Sequence, residues 1–433
     1  MSRPLSDHVD NPLSGEDLHA QLVVTAAKVL YGNGQMTDKV IDVAQRLVTV
    51  LGLDAKLVPR WTGLSLVGAS SPPNTLGAQV LGWIKVCPTA VNMDRVAAAM
   101  RVVADVEAGR LGPAQAVAAL DAISIRPPAG DWTFALAAAA GAVALAVIFG
   151  LRHVTPALLI FACAGTGALL RRKLGRHTGN LLIPPFAAAL LAGLVGAVAV
   201  RLDLSSSLRL VAVCPCMVLV PGPHLLNAAA DALKGRLRLG WRRLIYAGLI
   251  ISSITGGLFL GLATLGVSLP PEPAAVPASI WNDMIASGIA VLAFSVFFST
   301  PVRMILWPVT VGVSAHVVRW WLLTLGCELA TAAFIACALV GLALTPISHR
   351  YRMPFAAVGF AAVVSLIPGV YLFRLASGLL MVVNGQSNDT VIQEMISNAV
   401  TSTSILLAMS LGLIGPNLAM DRFVPCSPIH KMG

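Results

Sequence analysis

Ten apolar runs follow one another near 132–151, 154–170, 181–200, 208–232, 243–267, 281–299, 302–320, 324–345, 354–376 and 391–415. A bilayer core needs roughly 20 helical residues to cross, so runs of this length specify membrane-spanning helices rather than soluble domains. The composition agrees, with 57% hydrophobic and 12% charged residues. A net charge of +10 would fit a nucleic-acid partner, but the Lys and Arg residues cluster in short segments between the apolar runs. There they orient helices in a bilayer, and nucleic acid is not an expected partner. The expected class is a polytopic all-α membrane protein.

The chain before these runs reads differently. Residues 1–16 are polar and read as a mobile tail, with no cleavable signal peptide recognisable ahead of the first long apolar run. Residues 17–125 read as a small cytosolic α+β domain. Helical spacing covers 17–31 and 37–51, three short strands lie in "AKLVPRW", "GLSLVGA" and "AQVLGWIKV", and helical spacing returns over 92–109 and 113–123. Residues 126–267 then hold five apolar runs, 268–280 a proline-rich linker, 281–420 five more, and 421–433 a cytosolic tail.

Basic residues set the orientation. With residues 1–131 in the cytosol, fifteen Lys and Arg of the membrane part fall inside and five outside or near the outer ends, namely Arg152, Arg201, Arg209, Arg319 and Arg374. The opposite orientation inverts that ratio against the positive-inside rule. The expected location is the cytoplasmic (inner) membrane, multi-pass.

Self-similarity divides the membrane part in two. "LVPGPHLLNAAADAL" at 219–233 is echoed by "LIPGVYLFRLASGLL" at 366–380: Pro221, Gly222 and Leu225 match Pro368, Gly369 and Leu372 at an offset of 147. Upstream, Phe186 and Gly193 match Phe334 and Gly341 at an offset of 148. Because each copy holds an odd number of crossings, the second enters the membrane upside down, the inverted repeat of many secondary transporters. Pro221 lies twelve residues past Arg209, roughly 18 Å of helix, which puts the Pro-Gly break near mid-bilayer.

The helix is expected to stop at Pro221-Gly222 and to restart with Pro223 in its first turn. The unpaired N–H groups of that new N-terminus would bind an anion such as a carboxylate, and Pro368-Gly369 would offer a second such end. His224, Asn227 and Asp231 share one face of the restarted helix. Tyr371 and Arg374 take the first two of those places in the second copy, and Gly378 the third. The plainer alternatives are that Pro-Gly only kinks a packed helix and that Asp231 is a solvated charge beside Lys234 and Arg236.

Among other ionisable groups in the runs, Glu328 is a proton-coupling candidate alongside Asp231, because a carboxylate with a raised pKa is what a proton carrier needs. The alternative for Glu328 is a hydrogen bond to a neighbouring helix, and His316 reads as packing. The cysteines lie mostly inside apolar runs and behave there as small hydrophobes, so no metal site and no cofactor is expected. "GLFLG" at 257–261 has the Gly-x-x-x-Gly spacing of close helix packing, which serves a homo-oligomer or the interior of one bundle equally.

The Pro-Gly helix, Asp231, the following "GRLRLGWRRLIYAG" and the segments "AAKVLYGNGQMTDKVIDVAQRLVTVLGLDAKLV" and "VNMDRVAAAMRVVADVEAGRLGPAQAVAALDAI" together resemble the threonine/serine exporter family of bacterial membrane proteins. The resemblance runs from about residue 18 to 415. It implies a cytosolic domain, ten helices and export of threonine and serine driven by protons. On matching positions it carries over Pro221, Gly222, Asp231, Gly235, Arg243, Arg350, Pro354, Pro368, Gly369, Tyr371 and Arg374. Some relatives are thought to export dicarboxylates, so succinate is an open alternative.

An enzymatic reading, such as a membrane-anchored hydrolase, has little to stand on. "GLSLVG" at 63–68 misses the Gly-x-Ser-x-Gly elbow by one residue, and His8 and His19 are the only histidines before residue 130. A membrane scaffold would have no use for matched helix breaks. The expectation is a secondary transporter of small molecules working in lipid with protons as partners.

Overall fold

The structure is a computed structural model that describes residues 15–69, 80–204, 208–267, 278–351, 353–383, 385 and 388–423. Most of the two tails and of the proline-rich linker lie outside the described residues. The chain divides into two units, one of residues 1–90 and 95–126, the other of residues 91–94 and 127–433.

In the first unit, apolar residues at helical spacing make one buried stripe on α2, Thr37–Val50: Val40, Val43, Ala44, Leu47 and Val48. Helix α1, Gly15–Gly32, packs on α2 and on α4, Pro113–Ser124. Strands β1, Ala55–Arg60, β2, Gly63–Gly68, and β3, Val80–Lys85, form one antiparallel sheet in the order β1-β2-β3. Leu64 and Leu66 alternate along β2 into the core, as period two requires. Ser65 sits mid-strand between Val58 and Trp83, not at a strand-to-helix turn. Helix α3, Met93–Glu107, ends before Gly109 at φ +67, and Pro113 restarts the chain as α4. A left-handed residue there suits only glycine without strain.

The membrane unit runs α5 (Asp131–Ile148), α6 (Val154–His177), α7 (Ile183–Arg201), α8 (Leu208–Met217), α9 (Gly222–Leu233) and α10 (Leu237–Ala263). It continues with α11 (Ile280–Phe297), α12 (Val302–Thr324), α13 (Leu329–Arg350), α14 (Phe355–Val363), α15 (Gly369–Val383) and α16 (Asp389–Phe423). Among the described residues, seven helices are long and apolar enough to cross a membrane, or nine if the bent pairs α8–α9 and α14–α15 each count once. Helix α12, whose apolar run is interrupted by Arg303, His316 and Arg319, is not among them.

Neighbour relations recur between the halves. Helix α7 packs on α10 as α13 packs on α16; α6 contacts α5, α7 and α8 as α12 contacts α11, α13 and α14; α9 lies on α10 as α15 lies on α16. The two main contacts use the same device, glycine against backbone. A Cβ on Gly257 would strike the Phe186 carbonyl, and one on Gly261 the Leu190 carbonyl. In the second half, a Cβ on Gly412 would strike the Phe334 carbonyl, and one on Gly341 would lie 2.7 Å from the Leu413 carbonyl. Small residues allow this approach, which supplies packing where water drives nothing. The Gly257 and Gly261 pair thus faces α7 of its own chain.

Candidate functional site

Both Pro-Gly stretches break a helix. Helices α8 and α9 meet at 56°, and α14, extended by a 3-10 turn at Val364–Leu366, meets α15 at 59°. Pro221 and Pro368 cannot donate the hydrogen bonds that would carry the helices through. The breaks abut each other: a Cβ on Gly222 would strike Ile367 and lie 3.1 Å from Val364, while one on Gly369 would lie 3.0 Å from Met217. A narrow pocket opens beside them, lined in part by Met217, Val220, Val364, Ser365, Ile367 and Gly369.

The free N–H groups expected at the restarted helices are largely taken up. Gly222 N donates to Val220 O at 2.8 Å, and His224 and Leu225 both donate to Pro221 O, at 3.0 and 3.2 Å. Pro223 has no N–H. In the second half Gly369 N donates to Ile367 O at 2.7 Å, and Tyr371 and Leu372 donate to Pro368 O. Tight turns at each break therefore satisfy donors that the sequence pattern leaves open.

The face carrying His224, Asn227 and Asp231 is buried, as their spacing requires. His224 meets Tyr246 of α10 edge-on, with centroids 5.0 Å apart. Asp231 is 1% exposed and is not a solvated charge. Its Oδ1 accepts from Arg236 Nε at 3.0 Å and its Oδ2 from Arg243 Nε at 2.9 Å, and Arg243 is fully buried. Of the counterparts, Tyr371 and Arg374 are partly buried, with the guanidinium 6.0 Å from the Tyr371 ring centre. Gly378 packs against Met395 of α16. Gly235, at φ +76, turns the chain out of α9, and Pro354 caps the start of α14. Glu328 is exposed and precedes α13 without capping it through its side chain.

His316 does more than pack. Its Nδ1 lies 3.3 Å from Asp283 Oδ2 and its Nε2 2.9 Å from Ser365 Oγ, and Ser365 lines the pocket at the breaks. His316 is 1% exposed and Asp283 5%. Asp283, in the first turn of α11, is a residue the sequence pattern passes over. The available signal was two ionisable residues in consecutive apolar runs, which hydrocarbon tolerates only when paired.

A second, narrow pocket lies where α5, α6 and α7 meet the end of α8, and Arg171 is the charged residue in its wall. Arg171 Nη1 is buried with no hydrogen-bond partner. The next residue, Arg172, is instead engaged, donating to the Ala129 carbonyl and to Asp131 Oδ1 at 2.9 Å. No group of three or more His, Cys, Asp or Glu side chains stands ready for a metal ion among the described residues.

Two family profiles match the chain, one described as a putative threonine/serine exporter over residues 21–265, the other as a threonine/serine exporter over residues 283–419. The chain belongs to the threonine/serine exporter family. Multiple described helices are long and apolar enough to cross a membrane, as a multi-pass membrane protein requires. The two profiles divide where the two halves of the membrane unit divide. An uncharacterised protein of Haemophilus influenzae is 27% identical over 143 residues, which cover 33% of this chain and 48% of that protein. The chain thus spans about half the length of that relative. No solved structure matches the exporter's sequence.

Proposed function

We propose that this exporter carries threonine and serine out of the cell across the cytoplasmic membrane in exchange for protons, with residues 17–125 in the cytosol and ten crossings arranged as two inverted five-helix repeats. The observation that carries the reading is the reciprocal contact of the two Pro-Gly breaks, Gly222 against Ile367 and Gly369 against Met217. Matched interruptions meeting between repeats are where secondary transporters bind substrate. The contact of Phe186 with Gly257 and of Phe334 with Gly412 supports the repeat, because Phe186 and Phe334, paired at an offset of 148, each receive a glycine against the backbone carbonyl.

Pro221, Gly222, Pro368 and Gly369 shape the site. His224 and Asp231 hold α9 on α10 through Tyr246 and Arg243, Asn227 is buried on the same face, and Tyr371 and Arg374 follow the second break. For proton coupling, Asp283 with His316 is better suited than Asp231 or Glu328. Asp231 already answers two arginines and Glu328 is exposed, whereas the Asp283–His316 contact reaches the break pocket through Ser365. The Arg319 cation, within electrostatic reach of Asp283, offsets the carboxylate charge left when the pair gives up a proton.

The test is counterflow in proteoliposomes with labelled threonine, serine and succinate, with and without a pH gradient. Threonine and serine exchange, accelerated by a gradient, is the expected result. Exchange of succinate alone would replace the amino acid by the dicarboxylate, and exchange indifferent to any gradient would remove the proton.

A further inference from the structure

We propose that Arg171 receives the carboxylate of the exported molecule on one side of the membrane unit and that Arg319 is its counterpart on the other. The inference rests on the exporter reading above and holds for an amino acid and a dicarboxylate alike.

Helices α6 and α12 begin at Val154 and Val302, and Arg171 and Arg319 stand at the same step from those starts. The offset, 148, is the one that relates Phe186 to Phe334 and Gly193 to Gly341. Each arginine is therefore the other's repeat mate, and inversion of the repeat sends them to opposite sides of the breaks.

Arginine in a bundle interior is ordinarily held by a carboxylate or by backbone carbonyls, as Arg172 and Arg243 are. Arg171 is not held in this way. Its guanidinium sits 5.6 Å from the Phe297 ring centre, and its Nη1 is buried without a partner. The pocket it lines is otherwise walled by residues such as Cys163, Ala164, Gly167, Pro215 and Leu219. The alanines and glycine of this wall put little side-chain bulk beside the guanidinium. A planar guanidinium with unmet N–H groups selects a carboxylate, which accepts two parallel hydrogen bonds. Pro215 and Leu219 belong to the segment leading into Pro221-Gly222, so a molecule anchored by its carboxylate at Arg171 extends toward the break.

Arg319 differs in its surroundings. It makes no hydrogen bond among the described residues, yet Asp283 and Tyr371 lie within electrostatic reach. Arg171 has the Tyr246 phenol and the Arg172 cation in the corresponding range. An ionised Asp283 competes with a bound carboxylate for Arg319, whereas no carboxylate competes at Arg171. Binding is thereby favoured on the Arg171 side and release on the Arg319 side, the polarity an exporter needs.

The test uses the full-length protein in proteoliposomes of defined orientation, with L-threonine and L-threonine amide as competitors in counterflow. Loss of a charge-assisted pair is worth roughly a tenfold to hundredfold change in affinity. Wild-type protein should prefer threonine to its amide by that factor. Arg171→Gln should erase the preference for ligand presented from the cytosolic side, and Arg319→Gln from the opposite side. Arg171→Lys keeps the charge without the fork, so it should retain part of the preference and covers the case in which the Gln variant does not fold. Arg171→Gln or Arg171→Lys protein with wild-type affinity and undiminished preference overturns the proposal. Wild-type protein that moves succinate but not threonine overturns the amino-acid reading alone, and the arginines are then scored on succinate against succinamate. Wild-type protein that recognises no carboxylate overturns both.

Discussion

Gly222, the first residue of α9, packs against Ile367, the residue before the Pro368 break in the other half. Each break supplies a wall for the other, and Met217, Val220, Ile367 and Gly369 line one pocket between them.

Valine at position 222 has no room unless Ile367 withdraws. Overpacking of this kind costs about 1–3 kcal/mol. Gly222→Val should lower counterflow at least tenfold while the protein still purifies, and Gly222→Val with Ile367→Ala should recover much of it. Equal losses in the single and double variants, measured as initial exchange rates, would mean that the two residues do not act on each other. Gly369→Ala should be milder, because the flexible end of Met217 can give way.

Asp231 is a structural tie in this arrangement. Removing one member of a buried ion pair leaves charge without compensation, about 3–5 kcal/mol. Asp231→Asn should therefore lower the thermal unfolding midpoint in detergent sharply, and Asp231→Leu with Arg243→Met should restore most of it. A stable Asp231→Asn protein that exchanges substrate but ignores a pH gradient would return Asp231 to the proton pathway.

For Asp283 the expectation is the reverse. Asp283→Asn and His316→Gln should keep exchange of labelled threonine and lose accumulation driven by a pH gradient. Arg319, on the same helix as His316, lies within electrostatic reach of Asp283 and also of Tyr371 on α15 and Cys337 on α13. Helix α14 carries no ionisable residue, and Asp131, the sole one on α5, is held by Arg172 and Arg176. Gradient-driven accumulation that survives both substitutions would exclude the pair as proton carrier.

Glycines that touch backbone should be far less tolerant than glycines facing open space. Gly261→Ala and Gly412→Ala would drive a methyl into the carbonyls of Leu190 and Phe334, which cannot move without the helix. Both should lower the unfolding midpoint by an amount matching about 1–3 kcal/mol, and Gly248→Ala and Gly415→Ala, with nothing within 4 Å, should not. Similar midpoints in all four would mean that the α7–α10 and α13–α16 contacts are looser than drawn.

The proposed orientation predicts that, in a cysteine-free background, Cys at Gly175 is labelled only from the cytosol and Cys at Leu325 only from outside. Labelling of both from one side would exclude the orientation and the inverted repeat together.

Much of this protein is determined by its sequence, because the physics concerned is local. A run of apolar residues of sufficient length must leave water wherever it is placed, so the helices of the membrane unit fall where the runs lie. Prolines at 221 and 368 lack a backbone donor in any context, but so do Pro308 and Pro346, which lie inside continuous helices, so the proline alone does not decide a break. Alternation along Leu64 and Leu66 and the stripe on α2 fix strands and helix in the first unit for the same reason. What the side chains meet is a matter of neighbours distant along the chain. Whether Asp231 is solvated depended on Arg243 arriving from α10, and whether His316 is mere packing depended on Asp283 and Ser365 from two other elements. The unpaired N–H groups expected at the breaks were taken up by turns whose geometry follows from the bend. An arginine counted as a loop charge, Arg171, became a buried donor without a partner because α6 extends past the apolar run to His177 and brings it under the end of α8. Hydrophobicity and backbone chemistry act residue by residue and are legible in one dimension; the charge and hydrogen-bond state of a buried group is a property of its surroundings, and only the packed chain supplies them.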